Sequence, residues 1–160
     1  MATTIGTINT DGLEDALRQL PGKIETDRVA EKALKAGARV VGDQVVANLK
    51  SHGSEDSGLL AKSLRIRRRT DTIGGLIEVA LNFSNKLSMV VRPSRWSKKP
   101  VRARPAKYAH FPEFGTEHAP AKPFFRPAVE AKREEAEQVI AKTAEAGVVK
   151  AAQQLGMSVK

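Results

Sequence analysis

The chain has 160 residues, of which 41% are hydrophobic and 4% aromatic, and its net charge is +9 at pH 7. This length predicts one domain, residues 1–160, and the absence of cysteine excludes disulfides and thiolate metal sites. No apolar run reaches the roughly 18 residues of a membrane span and residues 1–10 lack a signal-peptide pattern, so we expect a soluble cytoplasmic protein without a membrane partner.

Two helices are predicted before residue 54. The first begins at Asp11, whose side chain can cap it, and ends at Pro21-Gly22. The second extends from about Thr26 to Ser51, and its small residues at 36–38 predict close approach by another element. Its apolar residues recur three and four positions apart, which is helical spacing: Val29, Ala33, Ala36, Val40, Val41, Val45 and Leu49.

A small antiparallel sheet of three or four strands is predicted next. One helical turn can form at residues 58–63, and two strands follow at 64–70 and 76–83, with turn chemistry at Gly74-Gly75. A third strand is predicted at residues 87–91. Alternation in the first strand places two apolar side chains inward and three arginines outward: Leu64 and Ile66 against Arg65, Arg67 and Arg69.

The segment from residue 92 to 107 predicts an extended loop that becomes ordered against a partner. It contains seven basic residues, no acidic residue, three prolines and the only tryptophan. Residues 51–127 together contain fifteen basic and six acidic residues, whereas the two ends are balanced. DNA, with Trp96 stacking on a base, and an acidic protein surface both fit this charge. The candidate contact residues are Arg65, Arg67, Arg69, Arg92, Arg95, Trp96, Lys98, Lys99, Arg102 and Arg104.

Residues 108–130 hold most of the aromatic side chains, interleaved with prolines. Proline restricts the backbone, so this stretch suits a packing or docking element. Gly115 predicts a turn with positive φ, and Pro123 or Pro127 opens the next helix.

Three questions about side chains in this stretch stay open. Phe124 and Phe125 are adjacent, so one should enter the core and leave the other free for a neighbour. Tyr108, Phe111 and Phe114 can be core or contact residues. Glu113 and Arg126 form either a local ion pair or a pair across a subunit boundary.

The last helix is predicted at residues 126–155. It has an apolar stripe of helical spacing formed by Val129, Ala136, Val139, Ile140, Ala144, Val148, Ala151 and Leu155. Helices segregated from consecutive strands are typical of the α+β class. We therefore predict a long N-terminal helix, the small antiparallel sheet and a C-terminal helix packed on it.

Catalytic patterns are absent from the sequence, which contains no G-x-S-x-G, phosphate-binding loop or H-E-x-x-H motif. His110 and His118 flank Glu113 and Glu117, but their spacing matches no metal-ligand motif, so exposed loop histidines are the favoured interpretation. We predict neither an enzyme nor a bound cofactor or metal.

Two motifs resemble those of a known family. The stretch YAHFPEFGTEHAPAKPFFRPAVEA resembles the Y-A-x-x-x-E-F-G-T…P-A-x-P-F-x-R-P-A signature of the tail-completion, or head–tail joining, proteins of tailed phages. Residues 57–64, SGLLAKSL, resemble the [TS]-G-x-L-x-x-S-[IL] motif of the same family. The motifs occur in the expected order, after a long helix and before a C-terminal one.

This resemblance implies a structural protein of the virion neck, assembled in the bacterial cytoplasm. It implies a ring, with six-fold symmetry as our expectation, and partners among the connector, tail terminator and tail tube, with DNA in the channel. A basic DNA-binding accessory protein is the alternative. The expected interface residues are Tyr108, Phe111, Glu113, Phe114, Gly115, Pro123, Phe124, Phe125, Arg126 and Pro127.

Overall fold

The computed structural model of the chain describes residues 23–51, 58–70, 77–84, 86, 87, 89–91 and 101–154. The α+β class is confirmed, with a long helix, strands and a long C-terminal helix. The helix predicted at residues 11–20 lies outside the described residues. In chain order the elements are α1 (Lys23–Ser51), α2 (Leu59–Ser63), β1 (Leu64–Thr70), β2 (Ile77–Phe83), β3 (Met89–Val91), β4 (Val101–Ala103), α3 (Pro105–Tyr108), α4 (His110–Phe114) and α5 (Phe125–Gln154).

The prediction of one sheet with three or four strands is wrong for the described residues. They form two separate two-stranded sheets, β1 with β2 and β3 with β4. The backbone N–H of Ser84, just after β2, donates to the carbonyl of Ser63, just before β1, at 2.8 Å, so this hairpin is antiparallel. β3 pairs antiparallel with β4, with Val90 opposite Arg102. The predicted third strand therefore pairs with residues from the basic segment instead of extending the hairpin.

The basic segment is more ordered than predicted. Residues 101–103 form β4, and α3 follows directly with Pro105 buried in its first turn. Proline is suited to this position because the first N–H groups of a helix have no partner within it. This half of the segment is therefore ordered by the chain itself. Residues 92–100 lie outside the described residues.

The described chain divides into two compact units. Of the described residues, unit 1 contains 23–41, 66–70, 77–80 and 129–154, and unit 2 contains 42–51, 58–65, 81–84, 86, 87, 89–91 and 101–128. Each unit has its own buried apolar residues, and each is described separately below.

Unit 1 is built on close packing between α1 and α5. Gly37 lies against Ile140, and Gly147 lies against Val29, so residue numbers rise along one helix as they fall along the other and the helices run antiparallel. Ala33 is fully buried beside Ile140. Small residues allow two helix backbones to approach closely, which is what residues 36–38 predicted. Five of the seven buried apolar side chains are accordingly alanine; the seven are Ala30, Ala33, Val41, Ala136, Ile140, Ala144 and Ala151.

Gly37→Ala is expected to lower the free energy of unfolding by about 1–2 kcal/mol, despite alanine's higher helix propensity. A Cβ atom at residue 37 would lie 2.5 Å from Cγ1 of Ile140, a β-branched side chain with little χ1 freedom in a helix. Gly42→Ala is the matched control, because its Cβ would meet only Leu81 and Leu64 at 3.4 and 3.6 Å. Urea denaturation of both variants should give opposite signs, with Gly42→Ala stabilising by about 0.5–1 kcal/mol. Two equal shifts would contradict this account.

Unit 2 contains the larger buried apolar residues, and the S-G-x-L motif helps to build it. Gly58 has φ +61° before α2, whose Leu59 and Leu60 are buried. Ser63 is completely buried, and its hydroxyl donates to the Leu60 carbonyl at 2.8 Å. Its carbonyl also accepts the Ser84 N–H, so the motif connects α2 to the β1–β2 hairpin. The largest fully buried apolar side chains of the unit are Val45, Leu49, Leu60 and Phe124.

Candidate interaction site

Residues 108–127, which we call the corner, lead from α3 through α4 to the start of α5. Within the corner, α4 occupies residues 110–114 and contains Pro112 near its start. Gly115 ends α4 with φ +77°, which confirms the predicted turn. Its N–H donates a hydrogen bond to the Phe111 carbonyl at 2.8 Å. The Lys122 N–H donates to the Pro112 carbonyl at 2.8 Å, which closes the chain on itself within unit 2.

The carboxylate of Glu113 caps the start of α5. Its Oε2 accepts hydrogen bonds from the backbone N–H groups of Phe124 and Phe125, both at 2.9 Å. Its Oε1 accepts from the N–H of Arg126 at 3.1 Å. The first N–H groups of a helix lack partners within it, and the helix dipole favours a negative charge there. Glu113 is only 6% exposed, so this charge is held inside the protein by three backbone donors.

Of the two alternatives for Glu113 and Arg126, the local ion pair does not occur among the described residues. Glu113 bonds to the backbone of residue 126, while the Arg126 guanidinium lies 5.2 Å from the centre of the Phe114 ring. This distance is within the range of a cation–π interaction. Both residues connect the turn to the helix, Glu113 through backbone hydrogen bonds and Arg126 through the Phe114 ring.

The aromatic side chains of the corner divide into buried and exposed ones. Phe124 is 1% exposed and packs edge-on against Phe83, with ring centres 6.0 Å apart. Phe125 is half-buried, so Phe124 is the member of the pair that enters the core, and a contact of Phe125 with a neighbour stays a prediction. Phe111 and Phe114 are 50% and 51% exposed, which excludes the core interpretation for both. Tyr108 is half-buried.

The remaining expected interface residues lie around this cluster. Gly115, Pro127 and Phe125 are partly buried, and Pro123 and Arg126 are exposed. The side chains of Glu113 and Phe124 support the corner from the inside. Whether the exposed members contact another subunit stays a prediction.

Asn48 is a polar contributor that the sequence did not point to. Its Nδ2 donates to the Phe124 carbonyl at 3.0 Å, and its Oδ1 accepts from Gln44 at 2.9 Å. It lies in α1 between Val45 and Leu49. The spacing of apolar residues identifies the buried face of a helix but not which polar side chain beside that face makes a hydrogen bond. Asn48 also lines a groove of about 460 Å³ together with Ala121, Lys122, Pro123 and Pro127.

The candidate basic residues are only partly described. Arg65, Arg67, Arg69 and Arg104 are exposed, as predicted. Arg65 donates to the carbonyls of Lys62 and Leu64 at the end of α2, both at 2.8 Å. Nη1 of Arg69 lies 3.8 Å from a carboxylate oxygen of Glu78. Outside the described residues are Arg92, Arg95, Trp96, Lys98 and Lys99, together with the side chain of Arg102.

A comparison with protein families decides what the chain is related to. Residues 11–115 match the HK97-gp10-like family, described as "Bacteriophage HK97-gp10, putative tail-component". The chain belongs to this family. No curated protein and no solved structure is significantly similar to it.

Membership in the HK97-gp10-like family confirms the resemblance to phage tail proteins. The match includes α1, both small sheets, Glu113 and the turn at Gly115, and it ends before α5. Tail components are typically structural proteins, so membership supports a structural role in a phage and a location in the virion.

None of the described helices is both long and apolar enough to cross a membrane. Within residues 23–51, 58–70, 77–84 and 101–154 no three metal-ligating side chains gather into a possible site.

Proposed function

We propose that this protein is a neck component that joins head to tail, acting as a tail-completion or head–tail connector ring subunit. The observation that carries the proposal is the pair of half-exposed phenylalanines, Phe111 and Phe114, on a corner held by internal hydrogen bonds. Membership in a family of phage tail components supplies the context.

The corner has the properties of a preorganised contact surface. Its backbone is held by the Gly115 and Lys122 N–H bonds and by the three bonds to Glu113. A rigid surface loses little conformational entropy on binding, and aromatic side chains supply large contact area. Two half-exposed phenylalanine side chains are costly for an isolated chain in water. A neighbouring subunit would remove this apolar area from solvent.

The proposed partners are further copies of the chain in a six-fold ring, together with the connector, tail terminator and tail tube. Such a ring needs two different complementary surfaces on each subunit. The corner is one of them in this proposal. The exposed arginines of β1 and of residue 104 would then face DNA in the channel or an adjoining ring.

The double variant Phe111→Ser/Phe114→Ser is expected to lose self-association, because serine cannot replace the apolar contact. The mass of the wild-type protein and the variant would be measured by light scattering over a range of concentrations, and phage particles would be scored for joined tails. Thermal unfolding should change little, since both side chains are already half in solvent. Val149→Ser is the control, because Val149 is an exposed apolar residue outside the corner, at 37%. Normal assembly of the double variant would reject this role for the corner.

A DNA-binding accessory protein is the second candidate, favoured by the exposed arginines at residues 65, 67 and 104. Phosphate contacts make DNA affinity fall steeply with salt, whereas an apolar subunit contact is much less salt-sensitive. Fluorescence anisotropy with duplex DNA at two salt concentrations would separate the candidates. A monomer that binds duplex DNA with a steep salt dependence would favour the second one.

A further inference from the structure

One face of α1 carries a row of four basic residues that the balanced charge of residues 1–50 conceals. They stand at positions i, i+4, i+7 and i+11, which share one side of a helix over about 16 Å. Three are exposed, and Lys35 is 39% exposed in its side chain. A groove of about 370 Å³ lies along them, also lined by Ala36 and Thr143. This basic stripe consists of Arg28, Lys32, Lys35 and Arg39.

Two of the acidic groups next to the basic stripe, Asp27 and Glu31, are already engaged within unit 1, whereas Asp43, one turn after Arg39, is exposed and forms no ion pair with described residues. Glu31 accepts from Lys35 and, at 2.9 Å, from Arg68, whose guanidinium is also 3.7 Å from Asp27. The hydrogen bond from Lys35 and the adjacent Arg68 hold the pKa of Glu31 below its usual value, so it is ionised at neutral pH. Arg28, Lys32 and Arg39 form no ion pair among the described residues and leave this face positive.

A row of opposite charge runs along α5. Its residues stand at positions i, i+4, i+7 and i+15, again on one side of the helix, with the exposed Ala141 at i+11. Three of the four are exposed and form no ion pair with described residues, while Glu137 pairs with Arg133 at 3.1 Å. This acidic stripe consists of Glu130, Glu134, Glu137 and Glu145.

We infer that the acidic stripe on one copy of the chain docks against the basic stripe on the next copy. The first three residues of each stripe have the same spacing and opposite sign, so two helices that run parallel can align these three pairs, and Arg39 and Glu145 extend the two stripes beyond them. Both stripes belong to unit 1, yet neither includes the α1–α5 contact residues Gly37, Ile140 and Gly147. No ion pair joins the stripes within the described chain. A contact between two different faces of the same protein is heterologous, and it closes into a ring when the rotation fits.

This inference rests on the proposed ring and specifies a contact in it that is separate from the corner. Exposed ion pairs add little affinity one by one, but complementary charge patterns set orientation and exclude wrong pairings. The stripes therefore orient neighbouring subunits, and reversing one stripe places like charges opposite each other.

The test uses two charge-reversal variants that should fail separately and succeed together. In each case three residues of one stripe are reversed, and light scattering and native mass spectrometry follow assembly. For each variant alone, the dissociation constant of self-association should be about tenfold or more above that of the wild type. An equimolar mixture should assemble, because in an alternating ring every contact again joins opposite charges, provided that the subunit number is even. The variants are Arg28→Glu/Lys32→Glu/Arg39→Glu and Glu130→Lys/Glu134→Lys/Glu145→Lys.

The mixture controls for folding, since misfolded variants could not rescue each other. Reversing three exposed lysines outside the stripes should leave assembly unchanged: Lys50→Glu/Lys86→Glu/Lys142→Glu.

Variants that assemble like the wild type would overturn the inference and leave the ring proposal standing. The inference would also be overturned if the basic-stripe variant lost duplex DNA binding but still assembled, because the basic stripe would then bind phosphates. Folded variants whose mixture stays dissociated would also overturn it. A wild-type protein that does not self-associate at millimolar concentration would reject the ring and this contact together.

Discussion

Glu113→Ala is expected to lower the free energy of unfolding by about 3 kcal/mol. The substitution removes the acceptor of three backbone N–H groups. One of these donors is the N–H of Phe124, a residue that is only 1% exposed. A buried donor without a partner costs about 1–3 kcal/mol, and a bond to a charged acceptor is stronger than a neutral one. The measurement is the midpoint of urea denaturation with an unchanged slope.

Glu117→Ala is the matched control for Glu113→Ala. Glu117 is an exposed carboxylate in the same corner, and replacing it is expected to change stability by less than about 0.5 kcal/mol. Glu113→Gln should fall between the two alanine variants, because the amide keeps one acceptor oxygen but loses the charge that the helix dipole favours. Equal midpoints for Glu113→Ala and Glu117→Ala would show that the cap contributes nothing to stability.

Gly115→Ala is expected to lower the free energy of unfolding by about 3 kcal/mol, through backbone strain and a collision. Its φ of +77° and ψ of 178° lie in a region that is essentially restricted to glycine. A Cβ atom there would lie 2.8 Å from the Ala121 nitrogen and 3.1 Å from the Ala119 oxygen. Backbone atoms cannot rotate away as the end of a side chain can, so the turn itself would have to move.

Gly58→Ala measures the cost of a left-handed backbone in the absence of a collision. Gly58 also has a positive φ, +61°, but no atom within 4 Å of the position of a Cβ. Its substitution should therefore cost only the left-handed backbone, about 1 kcal/mol. Thermal and urea unfolding of both variants would show the difference. A Gly58→Ala cost as large as that of Gly115→Ala would mean that conformation alone, and not the collision in the corner, explains the effect.

Features that depend on neighbouring residues in the chain were predicted well. Helical periodicity located α1 and α5 to within a few residues, and alternation with a glycine turn located the β1–β2 hairpin. The positive φ of Gly115 followed from its place after Phe114, and the separation of Phe124 from Phe125 followed from adjacency. Each of these depends on backbone geometry that a few consecutive residues determine.

The two charge stripes were within reach of the sequence but were concealed by net charge. Counting acids and bases over residues 1–50 and 128–160 gave balance and suggested ordinary solvated helices. When the same charges are placed at helical spacing, Arg28, Lys32 and Arg39 fall on one face of α1. Glu130 and Glu134 fall on one face of α5. Periodicity applied to charge, and not only to apolar residues, would have identified both faces.

The sequence by itself determined the α+β class, the long helices, the hairpin, the close helix approach at Gly37 and the phage family. The tertiary structure alone decided that β3 pairs with β4, that Glu113 caps α5, and that Asn48 holds the Phe124 carbonyl. The physical reason is the distance along the chain over which each interaction acts. Periodicity and turn geometry are local, whereas a buried carboxylate or a three-residue strand takes whichever distant partner the folded chain brings to it.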